Sequence, residues 1–130
     1  MYSRSHFAEP RLERLHDTIR RSGLATLFTA GAGGLDASHL PLLLDPAPAP
    51  HGRLLGHLAR ANPQWRATPP DHVEAMLEGI VGVELTITGL EGKWKVSQNR
   101  SEADRRGVAD GLEREGAAAL AGLVRRPEDG

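Results

Sequence analysis

Residues that could bind an anion or a flat ring occur in two short stretches, GHLARANPQW (56–65) and GKWKVSQNR (92–100). In the first stretch, His57, Arg60 and Asn62 cluster where a predicted strand ends and the chain turns. A guanidinium can bind a phosphate through two hydrogen bonds, and a turn offers backbone N–H groups. This stretch therefore suits a mononucleotide phosphate, although an exposed polar loop would have the same spacing.

The second stretch places one of the two tryptophans of the chain between two lysines. On a strand, Lys93 and Lys95 would share one face and Trp94 would lie on the other. The Gln98 amide then adds a donor and an acceptor, and Arg100 adds a further cation. Three interpretations are open: a basic strand face, a site for a phosphate and a ring, and a nucleic-acid patch with a base stacked on the indole.

Charge restricts where a nucleic acid could bind. The chain has 16 Lys and Arg against 17 Asp and Glu, and its net charge is -1. The whole molecule therefore has no field that would draw it to nucleic acid or to an anionic membrane. Residues 93–106 carry five basic and two acidic side chains, without a helix-turn-helix signature. We expect any DNA contact in this region.

Other site chemistries are poorly supported by the sequence. There are no cysteines, and the six histidines form neither an HExxH motif nor an i, i+4 pair. Ser38 and His39 are neighbours on a predicted strand, so they point to opposite faces and cannot share a proton. His39 and His57, each taken alone, are simplest to interpret as partly buried, hydrogen-bonded imidazoles. We predict no catalytic residue set and no metal site.

The absence of cysteine fits a reducing compartment, and the N-terminal stretch MYSRSHFAEPRLERL has no apolar signal core. The apolar runs are also too short to span a bilayer. We therefore expect a cytoplasmic protein with no membrane partner.

Hydrophobic periodicity and turn residues predict an α+β domain built on antiparallel strand pairs. Pro41 predicts that the second strand either lies at the edge of a sheet or breaks near the proline, and Asn62-Pro63 predicts a helical turn. Ser101, with Asp104 at the third helical position, predicts the start of the last helix, and Gly107 and Gly111 predict that this helix is weak or interrupted. The helices are predicted at 9–22, 71–80 and 101–124, and the strands at 24–30, 35–45, 53–59, 83–88 and 93–97. The first two strands form a hairpin and the last two strands pair with each other.

Four segments in this order resemble the PaiB-type FMN-binding negative transcriptional regulators. They are MYSRSHFAE (1–9), LDASHLPLLLD (35–45), GHLARANPQW (56–65) and GIVGVELTITGLEGKWKVSQNRSEADRRGVADGL (79–112). That family is similar to the FMN-binding split barrels, which include pyridoxamine phosphate oxidases and flavin reductases. The resemblance covers nearly the whole chain. It implies a split β-barrel-like antiparallel sheet with flanking helices, and a homodimer with FMN near the subunit interface.

The resemblance also implies cofactor-binding residues in both halves of the chain. It places Ser38 and His39 on the strand beside the flavin. It places His57, Arg60 and Asn62 near the phosphate. Lys93, Trp94, Gln98 and Arg100 would approach the flavin from the stretch GKWKVSQNR (92–100).

One large departure from the family lies in the middle of the chain. In the family, the ANPQW stretch is followed by a long central segment with aromatic residues, whereas here only RATPPD (66–71) separates it from the next helix. We therefore expect one shortened domain over 1–130, with halves 1–66 and 71–130. The expected function is a flavin-binding regulatory module. The alternatives are a flavin-dependent oxidoreductase of the same fold and a degenerate remnant that binds no flavin.

Overall fold

A computed structural model describes residues 7–31, 33–67 and 78–127. The described residues form three α-helices, one 3₁₀ helix and seven β-strands. The helices are α1 (Leu12–Arg21), α2 (Glu102–Arg114) and α3 (Ala118–Arg125), and the 3₁₀ helix is Pro63–Ala67. The strands are β1 (Ala8–Glu9), β2 (Ala25–Gly31), β3 (Gly34–Leu40), β4 (Leu43–Asp45), β5 (Arg53–Ala59), β6 (Ile80–Thr86) and β7 (Gly92–Lys93).

All strand pairs in the described part of the chain are antiparallel. β1 pairs with β7, β2 pairs with β3, and β4, β5 and β6 form a three-stranded sheet. Within the described residues these strands form three separate sheets and no closed barrel. The predicted α+β class with antiparallel pairing is therefore confirmed, in the form of a shortened, split-barrel-like fold.

The chain divides into two compact units. One unit comprises the described part of residues 15–90, and the other the described parts of 1–14 and 91–130. The first contains the β2–β3 hairpin and the β4–β5–β6 sheet, and the second contains the β1–β7 pair with α2 and α3. The single domain over 1–130, with halves 1–66 and 71–130, stays a prediction.

The core of the 15–90 unit forms where the hairpin meets the three-stranded sheet. Leu40, Leu58 and Val83 are buried together, one from each of β3, β5 and β6, and Trp65 packs against them. β5 occupies the predicted range 53–59, and Pro41 separates β3 from β4 as predicted, because proline cannot donate to a strand ladder. These elements hold the turn after β5 against the hairpin.

A cluster of ion pairs links the three strands of this sheet. Arg53 Nε lies 2.8 Å from Asp45 Oδ2, and Arg53 Nη1 lies 2.9 Å from Glu84 Oε1. The Ala47 backbone N–H and then the Arg53 guanidinium lower the pKa of Asp45. Glu84 and then Asp45 raise the pKa of Arg53. Because all three side chains keep partial contact with solvent, the cluster contributes modestly to stability.

The second unit is held together by a helical pair and by the N-terminal strand. Val96 is buried with Ala109, Ala121 and Val124 of the two helices. Ser101 caps α2 as predicted, because its Oγ accepts a hydrogen bond from the Asp104 N–H at 3.2 Å.

A surface ion pair joins the two C-terminal helices. The guanidinium of Arg125 on α3 bonds Glu113 and lies 2.7 Å from Asp110 Oδ1 on α2. Its hydrogen bond to Glu113 lowers the pKa of that carboxyl group.

In the described residues, no helix is both long and apolar enough to cross a membrane.

The predicted strand 93–97 is wrong. Only Gly92–Lys93 is a strand, and it pairs with β1 rather than with the 83–88 strand. Beyond it, Ser97 has a φ of 63°, a left-handed conformation that ends extended structure. The Gln98 side chain accepts from Val96 N–H at 2.9 Å and donates to Trp94 O at 2.6 Å, in place of a strand ladder.

The helix predictions had mixed outcomes. The helix predicted over 71–80 lies mostly outside the described residues, and Ile80, its last apolar position, begins β6 instead. The interruption predicted in the last helix is confirmed, but it occurs at Gly116, whose φ is 81°, and not at Gly107 or Gly111. Both of those glycines are accommodated inside α2.

Candidate functional site

An open cleft of about 430 Å³ collects four of the nine predicted site residues. It lies in the 15–90 unit, where β3, the end of β5 and the following turn meet the start of β6. Its polar lining comes from Ser38, His39, His57 and Asn62, and its apolar lining includes Leu40, Leu58 and Ile80. This volume falls in the range of ligand pockets, and a few polar groups on apolar walls are typical of them.

Asn62 organises the turn that forms one side of the cleft. Its backbone N–H donates to Ala59 O at 2.8 Å, and its Oδ1 accepts from the backbone N–H of Gln64 at 3.0 Å. Its Nδ2 donates to Ser38 Oγ at 2.8 Å. The asparagine therefore connects the 3₁₀ helix predicted at Asn62-Pro63 to strand β3.

Gln64 supports this turn from behind, and the sequence interpretation missed it. Its side chain is 1% exposed, and Nε2 donates to Leu27 O at 3.0 Å and approaches Asp36 O at 3.4 Å. Its Oε1 is buried without a hydrogen-bond partner among the described residues. A glutamine in a polar turn is normally exposed, so nothing in its type or spacing signals this burial.

His39 and His57 are both exposed, so their interpretation as partly buried imidazoles is wrong. The alternation of each strand explains this, because Leu40 and Leu58, the next residues, carry the buried positions. His39 lies opposite Thr26 on β2, and His57 lies opposite Gly82 on β6. Both histidines are among the residues that line the cleft, and both are exposed.

Arg60 belongs to the same unit but is not among the described residues that line the cleft. Its backbone N–H donates to Gly79 O at 3.1 Å, and its carbonyl accepts from Trp65 Nε1 at 3.2 Å. Its main chain therefore fixes the turn. Its role at a phosphate stays a prediction.

The other four predicted residues, Lys93, Trp94, Gln98 and Arg100, belong to the second unit. Lys93 and Arg100 are exposed. Trp94 is half-buried against the cluster around Val96, and its Nε1 is buried without a hydrogen-bond partner among the described residues. The Gln98 side-chain amide forms hydrogen bonds at both of its polar ends, and both partners lie in its own loop. Their contact with a cofactor stays a prediction.

The second unit also contains a buried charge cluster that the sequence interpretation did not predict. Glu9 is 5% exposed and accepts hydrogen bonds from Arg11 Nη2 at 2.7 Å and from Arg14 Nη1 at 2.6 Å. The Arg14 guanidinium carbon lies 4.9 Å from the centroid of the Trp94 ring. The distance along the chain between Glu9 and this ring explains why no local pattern indicated the cluster.

The described residues contain no group of three or more His, Asp or Glu side chains that could hold a metal ion.

The cofactor class is indicated by comparison with protein families. A family model described as "Putative FMN-binding domain" matches residues 1–71, which is more than half of the chain. The chain belongs to this FMN-binding family. The match includes β2 to β5 and the turn with Asn62, and therefore most of the cleft.

Relatives of this chain include two fungal proteins and one bacterial protein. An uncharacterized protein of Emericella nidulans is 42% identical over 66 residues, which are 47% of this chain and 26% of the relative. An uncharacterized protein of Aspergillus fumigatus is 31% identical over 75 residues, which are 55% of this chain and 29% of the relative. "Protease synthase and sporulation protein PAI 2" of Bacillus subtilis is 37% identical over 57 residues, 43% of this chain and 28% of the relative.

The family match and the Bacillus subtilis relative confirm the predicted PaiB-type resemblance. The matched part of this chain spans 26% to 29% of the lengths of these three relatives. The family match ends at residue 71, where the resemblance predicts that the central segment is missing.

The residues of the cleft fit part of a flavin nucleotide. FMN presents carbonyl and phosphate oxygens that accept hydrogen bonds and a flat ring that packs on apolar side chains. The Ser38 hydroxyl and the imidazoles of His39 and His57 are the groups that can donate, beside the apolar Leu58. When bound, a flavin would supply redox chemistry of its own.

Proposed function

We propose that this chain is a flavin-binding regulatory module that holds FMN in the cleft beside Ser38 and Asn62. The observation that carries the proposal is the cleft itself, which lies largely within the part of the chain that matches the FMN-binding family. The regulatory role is proposed from the PaiB-type resemblance, and a cytoplasmic location is proposed as the default for a chain whose lack of cysteine fits a reducing compartment.

Titration of the purified protein with FMN tests this function. We expect saturable quenching of flavin fluorescence with a Kd below about 100 µM, together with a higher melting temperature, because a ligand that binds only the folded state stabilises it. Unchanged fluorescence and melting temperature at high micromolar FMN would contradict the proposal and favour a non-binding remnant. Steady oxidation of NAD(P)H by the flavin-loaded protein would instead support the oxidoreductase alternative.

We also propose a homodimer, supported by an apolar face on the β2–β3 hairpin. The register places Phe28 opposite Ala37 and Ala30 opposite Leu35, and all four are exposed. Phe28 is 70% exposed and Leu35 is 83% exposed. A two-stranded hairpin with an uncovered apolar face invites pairing with a second copy.

Leu35→Lys tests this interface, because it places a charge on the hairpin face without removing a buried side chain. The mass in solution is expected to fall from that of a dimer to that of a monomer, as measured by light scattering over a range of protein concentrations. Leu120→Lys, at a 44% exposed leucine of α3, is the control and should leave the mass unchanged. A parent protein that is monomeric at high micromolar concentration would rule out the dimer.

DNA is a further proposed partner, through residues 93–106. Lys93, Lys95 and Arg100 are exposed in this region, whereas Arg106 pairs with Glu102 at 3.1 Å. Binding to duplex DNA should weaken steeply as salt rises from about 50 to about 200 mM, because contacts to phosphates release counterions. Electrophoretic retardation at several salt concentrations checks this, and no retardation at low salt would exclude DNA as a partner.

A further inference from the structure

The hydrogen bonds around Asn62 fix the orientation of its side-chain amide. The backbone N–H of Gln64 can only donate, so the atom that faces it at 3.0 Å must be Asn62 Oδ1. The other end of the amide, Nδ2, then faces Ser38 Oγ at 2.8 Å. An NH₂ group can only donate, so the Ser38 oxygen must be the acceptor of this bond.

The consequence concerns the Ser38 hydroxyl proton. A hydroxyl group has one proton and two lone pairs, and Asn62 uses a lone pair. In the described part of the chain, Ser38 Oγ makes no second hydrogen bond, and Ser38 lines the cleft. We propose that Asn62 is a positioning residue, which fixes the Ser38 hydroxyl as a hydrogen-bond donor toward the ligand in this cleft.

The remaining lining agrees with a cleft that recognises acceptor oxygens. His39 and His57 line the cleft and are exposed, and each imidazole can donate through a ring nitrogen. None of the described residues that line the cleft carries a carboxylate. A ligand with acceptor oxygens therefore finds donors and no fixed negative charge at this lining.

This inference rests on the proposed function, because the ligand that it assigns to the cleft is a flavin nucleotide. The acceptor oxygen could belong to the carbonyl edge of the flavin ring or to the phosphate. The shared chemistry is an oxygen that accepts a hydrogen bond from Ser38. Riboflavin, which lacks the phosphate, and inorganic phosphate, which lacks the ring, distinguish the two sources when compared with FMN.

The experiment measures binding of FMN, riboflavin and inorganic phosphate to the full chain and to variants. Ser38→Ala is expected to weaken binding of FMN about five- to tenfold, which is the size of one lost hydrogen bond. Ser38→Thr keeps the hydroxyl and should restore most of the affinity. A loss for FMN alone assigns the oxygen to the phosphate, and an equal loss for riboflavin assigns it to the ring.

Asn62→Asp tests the positioning role directly. The carboxylate still accepts from the Gln64 N–H, but it would now also accept from Ser38, which turns the hydroxyl proton away from the ligand. We expect FMN binding to weaken at least tenfold in this variant. In the Ser38→Ala background the same change should cost much less, because the hydroxyl through which it acts is absent.

The outcomes separate the inference from the proposed function. If the parent binds FMN but Ser38→Ala binds it equally well, the inference is overturned and the proposed function stands. If Asn62→Asp costs the same factor with and without the serine, the charge alone is responsible and the positioning role is overturned. If the parent binds none of the three probes, both the inference and the proposed function fall.

Discussion

Replacing Glu9 with alanine is expected to lower the free energy of unfolding by about 3 kcal/mol, since it removes the carboxylate of a buried ion pair and leaves the guanidinium buried without it. The buried charge that loses this carboxylate is that of Arg14, whose side chain is 10% exposed and whose Nη1 lies 2.6 Å from Glu9 Oε2. Arg11, at 54% exposure, can recover its hydration and adds little to the loss. Equilibrium urea unfolding measures the effect.

Two further variants make this result specific. Asp17→Ala removes an exposed pair with Arg21, so its cost should stay within about 0.5 kcal/mol. Adding Arg14→Met to the Glu9→Ala variant should recover part of the stability, because the apolar side chain avoids burying a charge that has lost its carboxylate. If Glu9→Ala cost no more than Asp17→Ala, the buried pair would not be a significant source of stability.

Replacing Gly52 with alanine should cost about 1–3 kcal/mol through backbone strain, before any steric cost. Gly52 has a φ of 85°, and an added Cβ would lie 2.6 Å from Asp45 O and 3.0 Å from Pro46 Cα. Its N–H bonds Pro48 O at 2.6 Å, and its carbonyl accepts from Ile87 N–H at 3.0 Å, so the residue cannot move without loss of these bonds. Thermal and urea unfolding both measure the loss.

Gly89→Ala is the matched control for Gly52. Nothing lies within 4 Å of an added Cβ there, and the residue does not have a positive φ. The control should be neutral or stabilise the protein by up to about 1 kcal/mol, because alanine has less freedom in the unfolded chain. Equal losses at the two positions would show that the close approach at Gly52 is not what limits substitution.

Local chemistry determined what the sequence could predict about the fold. The break at Pro41, the turn at Asn62 and the cap at Ser101 each depend on the hydrogen-bonding capacity of a single residue, and each is observed. The strand at 53–59 was equally clear, because its apolar run is bounded by turn residues. Such features require no knowledge of distant partners.

Pairing across long distances could not be predicted in the same way. The alternation of KWKVS satisfies a strand pattern, yet the hydrogen bonds of this segment go to Phe7 and to Gln98. Ala8 pairs with Lys93, and the separation of more than 80 positions leaves no mark in the local sequence. Periodicity therefore identified which side chains face inward without identifying the neighbouring strand.

The residues of the candidate site also divide into those that the sequence could indicate and those that only the folded structure shows. Ser38, His39, His57 and Asn62 were predicted through the family resemblance, and one cleft collects all four of them. Gln64 was missed because its importance comes from burial against the carbonyls of Leu27 and Asp36, which is a tertiary property. Burial of a polar side chain can only be read from the folded chain.

Each compact unit contains one tryptophan, which can serve as an optical probe of that unit. Trp65 belongs to the 15–90 unit, where the Arg66 guanidinium carbon lies 4.9 Å from its ring centroid, and Trp94 belongs to the other unit. A chain that keeps only one of them therefore has intrinsic fluorescence that reports the unfolding of a single unit. Coincidence or separation of the two melting curves would reveal whether the units unfold cooperatively, without any added label or cofactor.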